Sequence, residues 1–178
     1  MDFELIRLSA ETDEASLLAH MDEKNSDTTV SGIIVQLPLP KHIDTKRVIA
    51  HIDHDKDVDG FTPASIGNLF LGEDRYVSCT PKGIMRLLAH YDKEVEGKRV
   101  AILGRSNIVG KPLALLMINA GATVTSCNSR TQDVAEITRW ADIVVLAMGQ
   151  PKFLKPEMVR EGATIIDVGF KKVNGTIF

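Results

Sequence analysis

The sequence predicts an α/β protein whose second half is a parallel sheet interleaved with helices, and three observations carry that prediction. From Gly97 onward, four short apolar runs alternate with helical stretches, as right-handed βαβ crossovers require. A glycine-bounded loop joins the first of these runs to its helix. Ahead of them the β-branched run GIIVQL, Gly32 to Leu37, is closed by Pro38 and Pro40, the pattern of a strand buried on both faces.

In chain order, Thr12 to about Lys24 places apolar residues at Ala15, Leu18, Ala19 and Met21, a helical spacing with a cap near Thr12. The GIIVQL strand follows. Asp44 caps a helix running to about Ile52, and after the acidic loop DHDKDVDGF a Thr62-Pro63 pair opens another that ends near Leu71-Gly72. Thr80, with Pro81 behind it, is expected to cap a helix reaching about Lys93. The strand KRVAILG, the glycine loop, the helix KPLALLMINAG, the strand ATVTSC, a helix, the strand ADIVVLAMG, the stretch PEMVREG and the strand ATIIDVGF complete the order. The division between two units falls at Glu94 to Gly97, giving units of residues 1–96 and 97–178.

A chain of 178 residues with 44% hydrophobic content can bury a sizeable core. Its net charge of -3 supplies no basic footprint for nucleic acid or for an anionic membrane surface, so neither is expected as a partner. Two cysteines, Cys79 and Cys127, are too few for a disulfide framework and suit a reducing, cytoplasmic setting. Neither a targeting segment nor an apolar run of spanning length is visible.

The loop Gly104-Arg105-Ser106-Asn107-Ile108-Val109-Gly110 sits between a strand and a helix N-terminus, where backbone N–H groups and the positive helix end favour a phosphate. Its spacing is not GxGxxG, and a plain strand-to-helix turn is the alternative. Five residues rather than four separate the glycines, and Pro112 follows Lys111, which excludes a P-loop NTPase. The next strand ends in Ser126-Cys127-Asn128-Ser129-Arg130, without the carboxylate an NAD site uses for its ribose hydroxyls. Ser129, Arg130 and Arg105 suit a 2′-phosphate, so NADP is expected over NAD. Solvated loop residues are the bland reading.

Asp53, Asp55, Asp57 and Asp59 alternate before Gly60. A calcium loop starting at Asp55 fails, because its twelfth position is Ile66 rather than a bidentate glutamate. The run is then a solvated turn, or it aims one carboxylate at an amino-pyrimidine-like edge. Gln36, an amide within an apolar run, is either a satisfied core group or a site residue at a strand's C-terminal end. The five histidines show no paired metal spacing, and Cys79 has no base partner and is expected as a small buried thiol. Metal is not expected.

Taken together, GIIVQLPLP, DKDVDGF, CTPKG, GRSNIVGKP, ADIVVLAMGQP and GATIIDVGF resemble, in order, the motifs of the bifunctional methylenetetrahydrofolate dehydrogenase/cyclohydrolase family. The resemblance implies an N-terminal α/β folate domain followed by a Rossmann-like NAD(P)-binding domain across a cleft. It implies NADP-dependent oxidation of 5,10-methylenetetrahydrofolate, hydrolysis of the methenyl product to 10-formyltetrahydrofolate, and a homodimer. By the same resemblance Gln36 polarises the reacting centre beside a catalytic lysine. Asp59 holds the pterin-like ring, with Pro38 and Gly60 beside it, and Asp57 supports that loop. Cys79 and Thr80 lie near the nicotinamide. Gly104, Arg105, Ser106, Ile108, Val109 and Gly110 form the phosphate loop, Arg105, Ser129 and Arg130 take the 2′-phosphate, and Gly149 and Pro151 lie close to the cofactor.

The family's Tyr-x-x-x-Lys motif, which supplies its acid/base lysine, has no counterpart before Gly32, and its closing glycine-proline segment has none after Phe178. Both are expected to be missing ends, leaving little or no cyclohydrolase activity. Asn128, Ser78 and His54 stand where the family commonly has histidine, proline and proline. Two other readings remain: a catalytically inactive dinucleotide-binding or regulatory module, and an unrelated NADP oxidoreductase sharing only the second half.

Overall fold

A computed structural model describes residues 2–73, 75–169, 172–173 and 176–177. In the second half, strands β1 (Arg99–Leu103), β2 (Thr123–Cys127), β3 (Ile143–Leu146) and β4 (Thr164–Asp167) form one parallel sheet in the order β2-β1-β3-β4. The register pairs Leu103 with Cys127 on one side and with Leu146 on the other, and Leu146 with Asp167. All four strand ends therefore open at one edge. The expected strand through Phe170 ends at Asp167, and Phe170 itself lies outside the described residues. Two further short strands, β5 (Lys172–Val173) and β6 (Thr176–Ile177), pair antiparallel.

Helices cover both faces of the sheet, which is why β1 and β3 read as continuous apolar runs rather than alternating ones. On one face Val100, Ile102, Ile143, Val145 and Ile166 pack against Leu113 and Met117 of α5 (Gly110–Asn119) and against Ile84 and Leu88 of α4 (Cys79–His90). On the other, Ala101, Leu103, Val144 and Leu146 meet Val134 and Ile137 of α6 (Val134–Trp140). The helix α4, N-terminal to the division read from the sequence, thus buries its apolar stripe in the sheet's core.

The first half has its own core. Leu18 and Met21 of α1 (Glu14–Ser26) pack with Val48 of α2 (Thr45–His51) and with Ile43 and Ile52, and Ile33 and Val35 lean on this cluster. Asp44 caps α2 through the N–H groups of Lys46 and Arg47. Thr62 caps α3 (Pro63–Leu71), and Gly72 closes it in the left-handed conformation, both as read from the sequence. Two caps differ. Asp13, not Thr12, accepts from Ser16 N–H at the start of α1. Ser78, not Thr80, precedes α4; Pro81, third in the helix rather than first, is tolerated because the first-turn N–H groups have no helical acceptor to lose.

GIIVQL departs further from expectation. It is an extended segment that forms a single parallel bridge, Ile33 to Asp57, and Ile34 is 61% exposed. An apolar β-branched run forms a ladder only where neighbouring strands offer one, and among the described residues no further strand lies alongside it. No helix is long and apolar enough to cross a membrane among the described residues.

Candidate functional site

At the C-terminal edge of the sheet, the chain leaves β1 into the predicted glycine loop. Gly104 has φ 135°, and a β-carbon there would collide with the Ala147 carbonyl; Gly104 N–H donates to Cys127 O at 3.0 Å. A β-carbon on Gly110 would collide with the Gly104 carbonyl in turn. The loop is closed from within by Ser106. Its Oγ accepts from Val109 N–H at 3.1 Å and from Gly110 N–H at 3.4 Å, and its carbonyl accepts from Lys111 N–H at 3.0 Å. Ser106 therefore caps α5 in place of Val109, whose side chain cannot. Among the described residues the N–H groups of Arg105, Ser106, Asn107 and Ile108 have no protein acceptor. Four such donors on an exposed turn ahead of a helix make this loop a candidate anion cradle.

The pairing of β1 with β2 sets the turn Asn128 to Thr131 beside this cradle. Asn128 Oδ1 accepts from Arg130 N–H at 3.0 Å, and Asn128 N–H donates to Thr131 Oγ1 at 2.9 Å. The turn is thus braced, and Ser129 and Arg130 remain exposed beside the exposed Arg105. Gly149 and Pro151 follow β3 at the same edge and are also exposed. Cys79 and Thr80 begin α4, and the buried Ser78 ties them to the cradle by donating from Oγ to Ile108 O at 3.0 Å. Cys79 is exposed, not the buried thiol expected: in the first turn of α4 it points away from the stripe of Ile84 and Leu88 that enters the core. Cys127 is the buried thiol, and burial pushes it up.

The other sequence-predicted residues lie in the first half. Gln36 is exposed and donates from Nε2 to Leu37 O at 3.0 Å, so it is not a core amide. With Pro38 it lines a largely apolar groove of about 400 Å³ between the segment of Ile6 and Leu8, helix α1, and Ile33 to Val35. Asp59 and Gly60 do not line that groove. Gly60 is buried, with φ 68°, where a β-carbon would stand 2.7 Å from Tyr76 O.

Two carboxylates of the acidic loop behave oppositely. Asp57 is fully buried and accepts from Ser65 Oγ at 2.7 Å, Thr62 N–H at 2.8 Å and Phe61 N–H at 3.1 Å. Burial alone would push its carboxyl up, but these hydrogen bonds outweigh it and hold the group below the usual carboxylate range. Asp59 is half-buried and has no hydrogen-bond donor among the described residues. Burial, helped by the charge on Asp57, pushes it up. An under-solvated carboxylate without a protein partner is poised for a ligand donor.

Asp53, His54 and Asp55, which sequence spacing passed over, bring one ligand atom each within 4.8 Å of one another. They lie on an exposed 3-10 turn, and Asp55 is paired with Arg75. Lys56 was missed as well. It sits inside the acidic run, where a lone basic residue was the available signal.

The family model described as "Tetrahydrofolate dehydrogenase/cyclohydrolase, NAD(P)-binding domain" matches residues 78–178, and that described as "Tetrahydrofolate dehydrogenase/cyclohydrolase, catalytic domain" matches residues 1–59. "Bifunctional protein FolD" of Latilactobacillus sakei is 56% identical over 97% of this chain and 61% of its own length. The crystal structure of the bifunctional FolD dehydrogenase/cyclohydrolase from Campylobacter jejuni is 43% identical, with a TM-score of 0.91 over 94% of this chain and 60% of that one. The Trypanosoma brucei FolD structure, solved with NADP cofactor and inhibitor, is 40% identical, with a TM-score of 0.86 over 92% and 57%. The chain thus spans about three fifths of the relatives it matches.

Proposed function

The chain belongs to the tetrahydrofolate dehydrogenase/cyclohydrolase family, and from that membership we propose that it serves one-carbon folate metabolism. The reaction assigned to the residues of this chain is oxidation of 5,10-methylenetetrahydrofolate to 5,10-methenyltetrahydrofolate with NADP; hydrolysis to 10-formyltetrahydrofolate is the second reaction of the family. The observation that carries this reading is the glycine-bounded cradle. Its four free N–H donors stand beside Ser129 and Arg130 at the C-terminal edge of a parallel sheet, the place where open α/β sheets hold nucleotides.

In this reading Gly104 to Gly110 hold the pyrophosphate, and Arg105, Ser129 and Arg130 take the 2′-phosphate. Cys79 and Thr80 border the nicotinamide, and Gly149 and Pro151 lie close to the cofactor. NADP, when bound, supplies the hydride acceptor. The chain's own residues orient the donor: Asp59, with Gly60 at its back, accepts hydrogen bonds from the pterin-like ring, and Gln36 and Pro38 border the reacting carbon. Gln36 is an amide and holds a polar group without taking up its proton, so its role is orientation. The division at residues 96 and 97, the homodimer and the cytoplasmic setting belong to the same proposal, with small molecules rather than nucleic acid or membrane as partners.

Calorimetric titration of the chain with NADP and, separately, NAD tests it. Tighter binding of NADP is expected, whereas binding of neither, by a chain that is folded by circular dichroism, would overturn the cofactor assignment.

A further inference from the structure

The side chain of Lys56 crosses the first half to reach the end of a helix. Its Nζ donates to Lys24 O at 2.9 Å, Asn25 O at 2.6 Å and Asp27 O at 2.7 Å, so all three ammonium protons are used. These carbonyls close α1 at its negative end, where a cation is most stabilising. The Lys56 backbone is occupied too: its carbonyl accepts from Ile33 N–H at 2.8 Å and Val58 N–H at 3.0 Å, and its N–H donates to Asp53 O at 2.8 Å. One residue thereby joins helix α1, the extended segment leading to Gln36 and the loop leading to Asp59. Asp57, next in the chain, fixes the far side of that loop on Thr62 and Ser65.

We propose that Lys56 is a positioning residue for the folate side of the site: by clamping its ammonium on the α1 carbonyls it holds the segment of Gln36 and the loop of Asp59 in one fixed relation. Resting on the folate reading above, this assigns Lys56 no contact with the substrate. Its effect is on where Asp59 stands. Loss of the ammonium leaves the Lys24, Asn25 and Asp27 carbonyls without their donor and frees the loop to shift against Ile33.

The experiment compares the wild-type chain with Lys56→Met, which keeps the methylenes, and Lys56→Ala. Binding of 5-formyltetrahydrofolate and of NADP is measured by calorimetry, and amide hydrogen exchange is followed at Ile33, Gly60, Phe61 and Thr62. Both variants are expected to lose roughly tenfold or more in 5-formyltetrahydrofolate affinity, from charge-assisted hydrogen bonds removed, with NADP affinity unchanged. Exchange at the four amides rises while that of the β1 and β3 amides does not. Propylammonium chloride, which replaces the missing atoms of Lys56→Ala, restores folate binding where sodium chloride does not.

Unchanged exchange at those amides overturns the proposal, and so does a loss of NADP binding in parallel with folate binding, since Lys56 would then hold the whole fold. If the wild-type chain itself binds no 5-formyltetrahydrofolate, the folate reading fails separately. The exchange comparison still decides whether Lys56 sets the loop.

Discussion

Gly104 and Gly110 meet through backbone alone: the carbonyl of the first occupies the space where the second would carry a β-carbon. That contact folds the cradle tightly enough for Ser106 to cap α5 from inside the loop. Gly110→Ala must push the two ends apart. The variant is expected to lose the Ser106 cap, worth about 1 kcal/mol, and to bind NADP at least about tenfold more weakly. Thermal melts and calorimetry read both. Wild-type affinity in a folded variant would mean the cradle does not hold the phosphates.

Arg105 and Ser129 are exposed on adjoining loops, so neither is needed for folding. Arg105→Ala with Ser129→Ala is expected to weaken NADP binding by roughly 10- to 100-fold, the effect of losing hydrogen bonds to a charged group. NAD binding should hardly change. Equal losses for both nucleotides would place these side chains away from the 2′-phosphate.

The sheet was legible in the sequence because it is covered on both faces. Burial of β1 and β3 on both sides produces uninterrupted apolar runs, and the helices between them repeat at the spacing that packs on a sheet. Gly32 to Leu37 carries the same local signature and forms no ladder, since ladder formation depends on neighbours that a local pattern does not contain. The tight strand-to-helix loop was legible through its glycines. Ser78 was not, because its hydrogen bond reaches the Ile108 carbonyl thirty residues away. Lys56 escaped for the same reason: its acceptors are backbone carbonyls, which carry no mark of residue type.

The two thiols should separate cleanly. Cys127 is 1% exposed and pushed up by burial, whereas Cys79 is exposed at the start of α4. Iodoacetamide on the native chain is expected to alkylate Cys79 and spare Cys127, and saturating NADP to slow the reaction. Peptide mapping reads the outcome. Alkylation of Cys79 at an undiminished rate in the presence of bound NADP would remove it from the cofactor's border.

Asp57→Ala deletes an acceptor that three donors share, which leaves Phe61 N–H and Thr62 N–H unsatisfied and Ser65 Oγ with Thr62 Oγ1 as its remaining partner. A loss of about 3 kcal/mol is expected in urea unfolding. The pH dependence has a fixed sign. Because the folded carboxyl lies below its unfolded value, its stabilisation is complete above the ordinary aspartate range and disappears as pH falls through the lowered value. Asp57→Asn should flatten that acid limb, and an identical limb in both proteins would contradict the assignment.

Asp59 runs the other way. Burial and the neighbouring Asp57 charge push its carboxyl up, so it takes on a proton at a pH where an exposed aspartate is still ionised, and a ligand bound through its N–H groups loses its acceptor there. Folate affinity is therefore expected to fall with decreasing pH, starting above the ordinary aspartate range. Asp59→Asn should bind 5-formyltetrahydrofolate more weakly at neutral pH, by roughly 10-fold or more for the loss of charge-assisted bonds. It should lose the pH dependence that Asp59 imposes. Titrations from pH 4 to 8 on both proteins separate the two effects, since a merely structural role for Asp59 would weaken binding at every pH without removing the slope. A slope that survives in Asp59→Asn would assign the titration to another group and free Asp59 from the pterin-like ring.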